Sequence, residues 1–295
     1  QFEELIGPTA RLVALTAASP IVGSVPDVRV AADRVHEVGG LLVVDAIGAD
    51  VTGFAVGDAV ILAAIPDAHV RGSYAEYTTV PESQLIARPA GLGIEEAAAI
   101  WVAFSTAYGA LVAKARMRPG DHVLVTAASG AVGRAAVQIV NHVGAVPIAV
   151  TRHSAREAEL RAAGAAAVVA TDNADVVEAV RRHTRGAGAD IVLDMVRGPR
   201  QQDLARAVRP GGTLIAAGFL DPRPPVEGVF EMYRSFEHTL DPEAVKRMAG
   251  FLAAGLHEGA LRPSVDRVFA LDNIAEAHRR LEGGLHGGRK IVVVP

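Results

Sequence analysis

In the stretch TAASGAVGRAAVQIV (residues 126–140), Gly130 and Gly133 stand three apart. The apolar run HVLVTA (122–127) before them reads as a buried strand, and the residues after them carry helical spacing. A helix is therefore expected to start between the two glycines. Glycine at 130 would let a diphosphate come close to the backbone, and glycine at 133 would let helix and strand pack closely. The helix N-terminus adds unpaired N–H groups and the positive end of a dipole. This is the chemistry of a dinucleotide site. A tight turn with no ligand would use the same glycines, so the decision rests on the strand and helix around them.

The end of the next strand should meet the adenosine ribose. There the sequence is AVTRHSARE (149–157), with Thr151, Arg152, Ser154 and Arg156 and no acid before Glu157. A site for NAD usually places Asp or Glu at that point to accept from the ribose hydroxyls. Arginine with hydroxyls suits a 2′-phosphate, through charge-assisted and bidentate hydrogen bonds. NADP(H) is thereby favoured as the cofactor. The alternative is that Arg152 and Arg156 are a solvated helix start.

The elements that must hold these residues form a regular series. Strands are expected at 122–127, 146–150, 166–170, 190–196 and 212–218, with helical segments between them. Alternation at this spacing predicts an α/β fold, a Rossmann doubly wound parallel sheet with helices on both faces. Residues 1–47 read as an N-terminal β-α-β segment: a strand at RLVALTA (11–17), a helix from Pro26–Asp27 to Gly39–Gly40, and a second strand at LLVVDA (41–46). A crossover of that length implies parallel pairing. From about Gly48 to Gly120, turns and alternation take over. VTGFAVGDAVIL carries a hairpin signal at Gly57–Asp58, GSYAEYTTVP reads as a half-buried strand, and residues 94–120 form a long helical pattern. From Asp241 come two amphipathic helices, the second with Asp272 or Asn273 as N-cap, and a closing strand in RKIVVVP.

The totals exclude much. The 295 residues include 29 Lys plus Arg against 33 Asp plus Glu, a net charge of −4, and 50% are apolar. No nucleic-acid or anionic-membrane partner is implied by that balance. The chain has no cysteine, which removes disulfides, thiolate catalysis and Cys-ligated zinc. Its ten histidines are scattered without ligand spacing, so no metal site is expected. Uninterrupted apolar runs such as AAAIWVAF fall short of a bilayer span, and QFEELIG has no targeting core. A cytoplasmic protein is the default expectation.

Residues 48–295 resemble a zinc-independent medium-chain dehydrogenase/reductase of the quinone oxidoreductase type. GADVTGFAVGDAV, GSYAEYTTVP, EEAAAIWVAFSTAYGAL, RPGDHVLVTAASGAVGRAAVQI and GADIVLDMVRGPR carry the resemblance, with RPGGTLIAAG and IAEAHRRLEGGLHGGRKIVVVP completing it. The resemblance implies a GroES-like β-barrel catalytic domain, here truncated, at 48–118 with 262–295, beside a Rossmann domain at 119–261. It also implies an NADPH-dependent enzyme, a homodimer, reducing a small-molecule quinone or activated enone or carbonyl. Residue by residue, Ser129, Gly130, Ala131, Val132 and Gly133 would hold the pyrophosphate, and Thr151, Arg152 and Ser154 the adenosine phosphate. Gly218 and Phe219 would lie near the nicotinamide, and Thr106 matches a position touching its carboxamide. Thr106 could equally bond its own helix backbone. No catalytic acid is assigned: Tyr108 reads as a core aromatic and Trp101 as packing.

The family's opening half-barrel has no counterpart here. Residues 2–47 instead resemble a fragment of a class V aminotransferase of the cysteine desulfurase-like group, with Asp45 at the position that pairs with the pyridine nitrogen of PLP. Pro20 stands where that family has Asn, and no cofactor-anchoring lysine segment follows, so PLP binding is not expected. TAASPIVG (16–23) nearly repeats TAASGAVG (126–133), but Pro20 removes an N–H where a phosphate loop needs one. Ala46–Gly48 is then either a seam between two fragments or part of the reductase's own strand. The segment FLDPRPPVEGVFEM (219–232) is also shorter than the family's, which motivates a rival reading as a non-catalytic nucleotide-binding relic.

Overall fold

A computed structural model describes residues 11–12, 44–63, 78–224 and 230–294 of the chain. The expected helix at 26–39, the TAASPIVG stretch and residues 72–77 lie outside the described residues. The described residues fall into two compact units. One takes the chain up to Trp101, Thr239–Ala249 and the residues from Pro263; the other takes Val102–His238 and Gly250–Arg262. The boundaries between them fall at 101/102, 238/239, 249/250 and 262/263.

The first unit opens with strands β1 (Arg11–Leu12) and β2 (Val44–Ala46), which pair antiparallel with Leu12 opposite Val44. This corrects the parallel β-α-β pairing expected for the N-terminal segment. The reason lies in the commitments of β2. Val44 is buried in an apolar cluster with Val60, Leu62 and Val80, its N–H donates to the Asp58 carbonyl at 3.0 Å, and its carbonyl accepts from Gly57. The strand thus also serves the turn region that follows it, as the second reading of Ala46–Gly48 allowed. Gly57 makes that turn at φ +96°, a left-handed value that side chains resist. The expected hairpin does not close across it, however. Strand β3 (Val60–Leu62) pairs antiparallel with β4 (Leu85–Ala87), and Val44 occupies the near side of the turn.

Helix α1 (Ile94–Tyr108) starts with Glu95 and Glu96 beside the positive dipole end, and Glu96 reaches back to accept the Gly93 N–H at 3.1 Å. It continues as a wider π-helical segment over Gly109–Lys114. The combined 21-residue helix is long and apolar enough to cross a membrane by length and composition, more than its uninterrupted apolar runs suggested. Within its most apolar window 61% is buried inside the protein, as in a core helix.

The second unit is built on a six-stranded parallel sheet. In chain order its elements are β5 (His122–Val125), α2 (Ala131–Val143), β6 (Val146–Thr151), α3 (Glu157–Ala162), β7 (Ala167–Ala170) and α4 (Val176–His183). Then come β8 (Ala189–Asp194), α5 (Gln201–Ala207), β9 (Val208–Ala216), β10 (Glu231–Met232) and α6 (Phe236–Thr239). The spatial order is β10-β9-β8-β5-β6-β7, so the chain winds outward from β5 one way and from β8 the other. This is the Rossmann arrangement, with its crevice where winding reverses. The strands are apolar on both faces because helices cover both: Val123, Leu124, Val125, Ile148, Val192 and Leu193 are all fully buried. Despite the short segment before it, β10 pairs in parallel with β9, Glu231 opposite Ile215. In the same unit the Tyr233 ring lies so close over Gly109 that a Cβ there would overlap its hydroxyl. Lys114 pairs with Glu237 at 3.2 Å. Burial first, and Glu237 second, push the Tyr233 phenol upward.

Helix α7 (Pro242–His257) begins with proline in its first turn, and the Asp241 carboxylate accepts the Glu243 N–H at 3.1 Å. In the first unit, β11 (Val265–Ala270), α8 (Ile274–Glu282) and β12 (Lys290–Val294) complete a β-α-β with parallel strands. Asn273 is the N-cap residue of α8, without a side-chain cap bond. Strand β11 was not anticipated, although VDRVFA alternates.

Candidate dinucleotide site

The crevice is floored by backbone bonds that tie the strand tips together. The Thr126 N–H donates to the Leu193 carbonyl and the Ala128 N–H to the Val150 carbonyl, each at 3.0 Å, linking the turn after β5 to β8 and to β6. The Thr171 N–H donates to the Thr151 carbonyl at 2.9 Å, linking β7 to β6. The loops after β5, β6, β7 and β8 therefore meet at one end of the sheet.

The turn after β5 is shaped for close approach. Ala127 takes φ +46°, and the chain then enters α2 at Ala131, with Gly130 as N-cap. No side chain caps this helix. Its first N–H groups are thus available to an anion, with the dipole behind them. A Cβ on Gly133 would lie 2.5 Å from the Ala127 carbonyl oxygen and 2.5 Å from the Ala128 Cα, so only glycine lets the helix seat against its own turn. At Gly130 the same test gives 3.2 Å, a milder conflict, so its small size matters more for what approaches from outside. This cradle is the observation that tests the fit of a dinucleotide diphosphate, and the residues fit it. Ser129 contributes its carbonyl to Arg134 Nε at 3.0 Å, and Ala131 and Val132 are the first residues of α2.

Arg134 also pairs with Glu159, which accepts Arg156 Nη1 at 2.9 Å. Partial burial works against the Glu159 charge, but the hydrogen bonds from Arg156 and Arg134 outweigh it and hold the carboxyl below its usual range. Arg156 is therefore engaged within the protein, while Arg152 is exposed and forms no ion pair among the described residues. Thr151 is buried at the end of β6. Ser154 donates its backbone N–H at 3.0 Å and its hydroxyl at 3.3 Å to Asp172, which follows β7. Sequence reading missed Asp172, because its nearness to Ser154 comes from the pairing of β6 with β7 and not from chain spacing.

A second overlooked residue is Asp194, fully buried at the end of β8. Its carboxylate accepts the Thr126 hydroxyl at 3.0 Å, the Val196 N–H at 2.9 Å, the Arg197 N–H, and the Gln201 amide at 3.0 Å. The signal was an acid directly after the apolar run IVL (191–193). The turn it holds receives Gly218, where a Cβ would overlap the Met195 backbone, its carbonyl carbon lying 2.6 Å away. Phe219 beside it is 64% exposed, and the Arg197 guanidinium sits 5.0 Å from its ring centre. Thr106 donates to the Val102 carbonyl at 2.7 Å, the helix-backbone bond noted as its alternative. The Tyr108 ring packs 4.9 Å from that of Phe251, and Trp101 is buried.

Comparison with known proteins finds relatives among dehydrogenases and reductases. A family described as zinc-binding dehydrogenase matches residues 163–293. The quinone oxidoreductase of Pongo abelii is 25% identical over 257 residues, covering 85% of this chain and 77% of that protein. The solved structure of an NAD-dependent alcohol dehydrogenase is 30% identical, with a TM-score of 0.74 over 98% of this chain and 92% of that one. A mycobacterial protein solved in complex with NADPH is 27% identical, with a TM-score of 0.75 over 86% of this chain and 81% of that one. The chain has no cysteine, and among the described residues no three His, Asp or Glu side chains gather as a metal site would require.

Proposed function

Because the chain belongs to the medium-chain dehydrogenase/reductase family, quinone oxidoreductase type, we propose that it is an NADPH-dependent oxidoreductase delivering hydride, without zinc, to a quinone or an activated enone or carbonyl. The observation that carries this reading is the turn after β5: an α2 N-terminus with no side-chain cap, opened by one glycine and seated by another. When bound, the nicotinamide supplies the hydride; the protein's part is to bind, orient and exclude water.

In this reading residues 119–261 are the dinucleotide domain, and 48–118 with 262–295 the catalytic domain. Ser129 to Gly133 hold the pyrophosphate, through the N–H groups that open α2 and with Gly130 giving room, its own N–H being bonded to the Ala127 carbonyl at 2.9 Å; Thr151, Arg152 and Ser154 face the adenosine phosphate. Gly218 and Phe219 lie toward the nicotinamide. The Thr106 hydroxyl already donates to Val102, so it would meet a carboxamide as an acceptor from the amide NH2. In this reading the protein works as a cytoplasmic homodimer.

Titration with NADPH, read by its fluorescence, is expected to saturate with the wild type and to fail with Gly130→Val, whose fold should survive. Equal binding by both would remove the assigned loop. Mixing the NADPH complex with simple benzoquinones in a stopped-flow instrument should oxidise the cofactor; binding without oxidation would establish the relic instead.

A further inference from the structure

Both donors of Ser154 are already engaged. Its backbone N–H and its hydroxyl converge on one carboxylate oxygen of Asp172, at 3.0 Å and 3.3 Å. Asp172 itself is exposed and forms no ion pair among the described residues. Of the two arginines after β6, Arg156 is held by Glu159, which leaves Arg152 as the exposed cation there. The loop after β6 carries no acid before Glu157, yet the fold delivers one from the neighbouring strand. A carboxylate accepts from ribose hydroxyls, which donate; a 2′-phosphate has only acceptor oxygens and its charge is repelled.

We propose that Asp172 sets the selectivity of the adenosine end: by holding the Ser154 donors and a negative charge beside Arg152, it brings NADH binding within reach of NADPH binding. Arg152 and Asp172 then oppose each other, one favouring the phosphorylated ribose and the other the free hydroxyl pair. The proposal rests on the reading of this crevice as the adenosine end of the cofactor site.

The test is equilibrium binding, free of turnover. NADPH and NADH are titrated by fluorescence, and 2′,5′-ADP and 5′-AMP by calorimetry, with the wild type, Asp172→Asn, Asp172→Ser and Arg152→Ala. The asparagine keeps an acceptor for the Ser154 N–H and removes the charge. Wild-type affinities for NADPH and NADH are expected within about tenfold of each other, because the two charges act in opposite senses on the phosphorylated ribose. Both Asp172 variants should tighten NADPH and 2′,5′-ADP about fivefold at low salt, leave NADH and 5′-AMP within about twofold, and lose most of the gain at high salt. Arg152→Ala should move the phosphorylated ligands the opposite way. If the wild type binds nucleotides but the Asp172 variants shift both classes equally, or neither, the role of Asp172 is overturned while the crevice reading stands. If no protein binds any of the four, or Gly130→Val binds them all as the wild type does, the crevice reading falls and takes this proposal with it.

Discussion

The turns after β5 and β8 leave the same end of the same sheet, and each must deal with N–H groups that have no helical or sheet partner. After β8 the solution is internal: the buried Asp194 carboxylate gathers the Val196 and Arg197 N–H groups, the Thr126 hydroxyl and the Gln201 amide. After β5 nothing plays that part. Gly130 has no side chain to offer, and the first turn of α2 is left facing outward. A carboxylate built into the chain makes one turn structural, and its absence makes the other receptive to an anion from outside.

The largest expected effect comes from breaking the closed turn. Asp194→Ala would strand several buried donors at once and should destabilise the second unit by about 3–5 kcal/mol, measured by urea unfolding. Asp194→Asn should cost about half as much, since its amide oxygen still accepts while its NH2 group meets donors. A loss under about 1 kcal/mol for the alanine variant would mean that water satisfies these groups and the contrast has no energetic content. Next is the open turn. Gly133→Ala places a methyl against Ala127 and Ala128 and should cost about 1–3 kcal/mol, with loss of dinucleotide binding in the same preparation. Thermal unfolding and NADPH titration together check it; unchanged binding would show that α2 can shift without harm. The smallest effect is at Ala127, whose φ of +46° is unfavourable for any side chain. Ala127→Gly should gain about 0.5 kcal/mol, because relief of that strain slightly exceeds the extra entropy of the unfolded chain. A net loss would show that the Ala127 methyl contributes packing that outweighs the strain.

What sequence could reveal follows from how local each determinant is. Strands such as HVLV and DIVLD announce themselves, because burial on both faces demands continuous apolar runs, and the Gly130–Gly133 pair sits where a strand must become a helix. Hence the sheet and the cradle were legible. Antiparallel pairing of β1 with β2 was not, since LLVVDA looks the same whether its neighbour is a Rossmann strand or a turn packed on Val60 and Leu62. Asp172 was illegible for a related reason. It lies 18 residues from Ser154, and only the register of β6 against β7 brings them together. Thr106 shows a third case, a hydroxyl whose helix-backbone bond and ligand role predict the same residue.

The widening of the helix at Gly109–Lys114 has a consequence for how this chain is aligned with relatives. A π-turn holds one residue more than an α-turn, so it slips the azimuth of everything beyond it by about 100°. Lys114 meets Glu237 from the far side of that slip, and a single helical wheel drawn from Ile94 onward would aim it elsewhere. A homologue whose helix stays regular here would be one residue shorter, and the gap would fall within 109–114 although both chains enter and leave the helix alike.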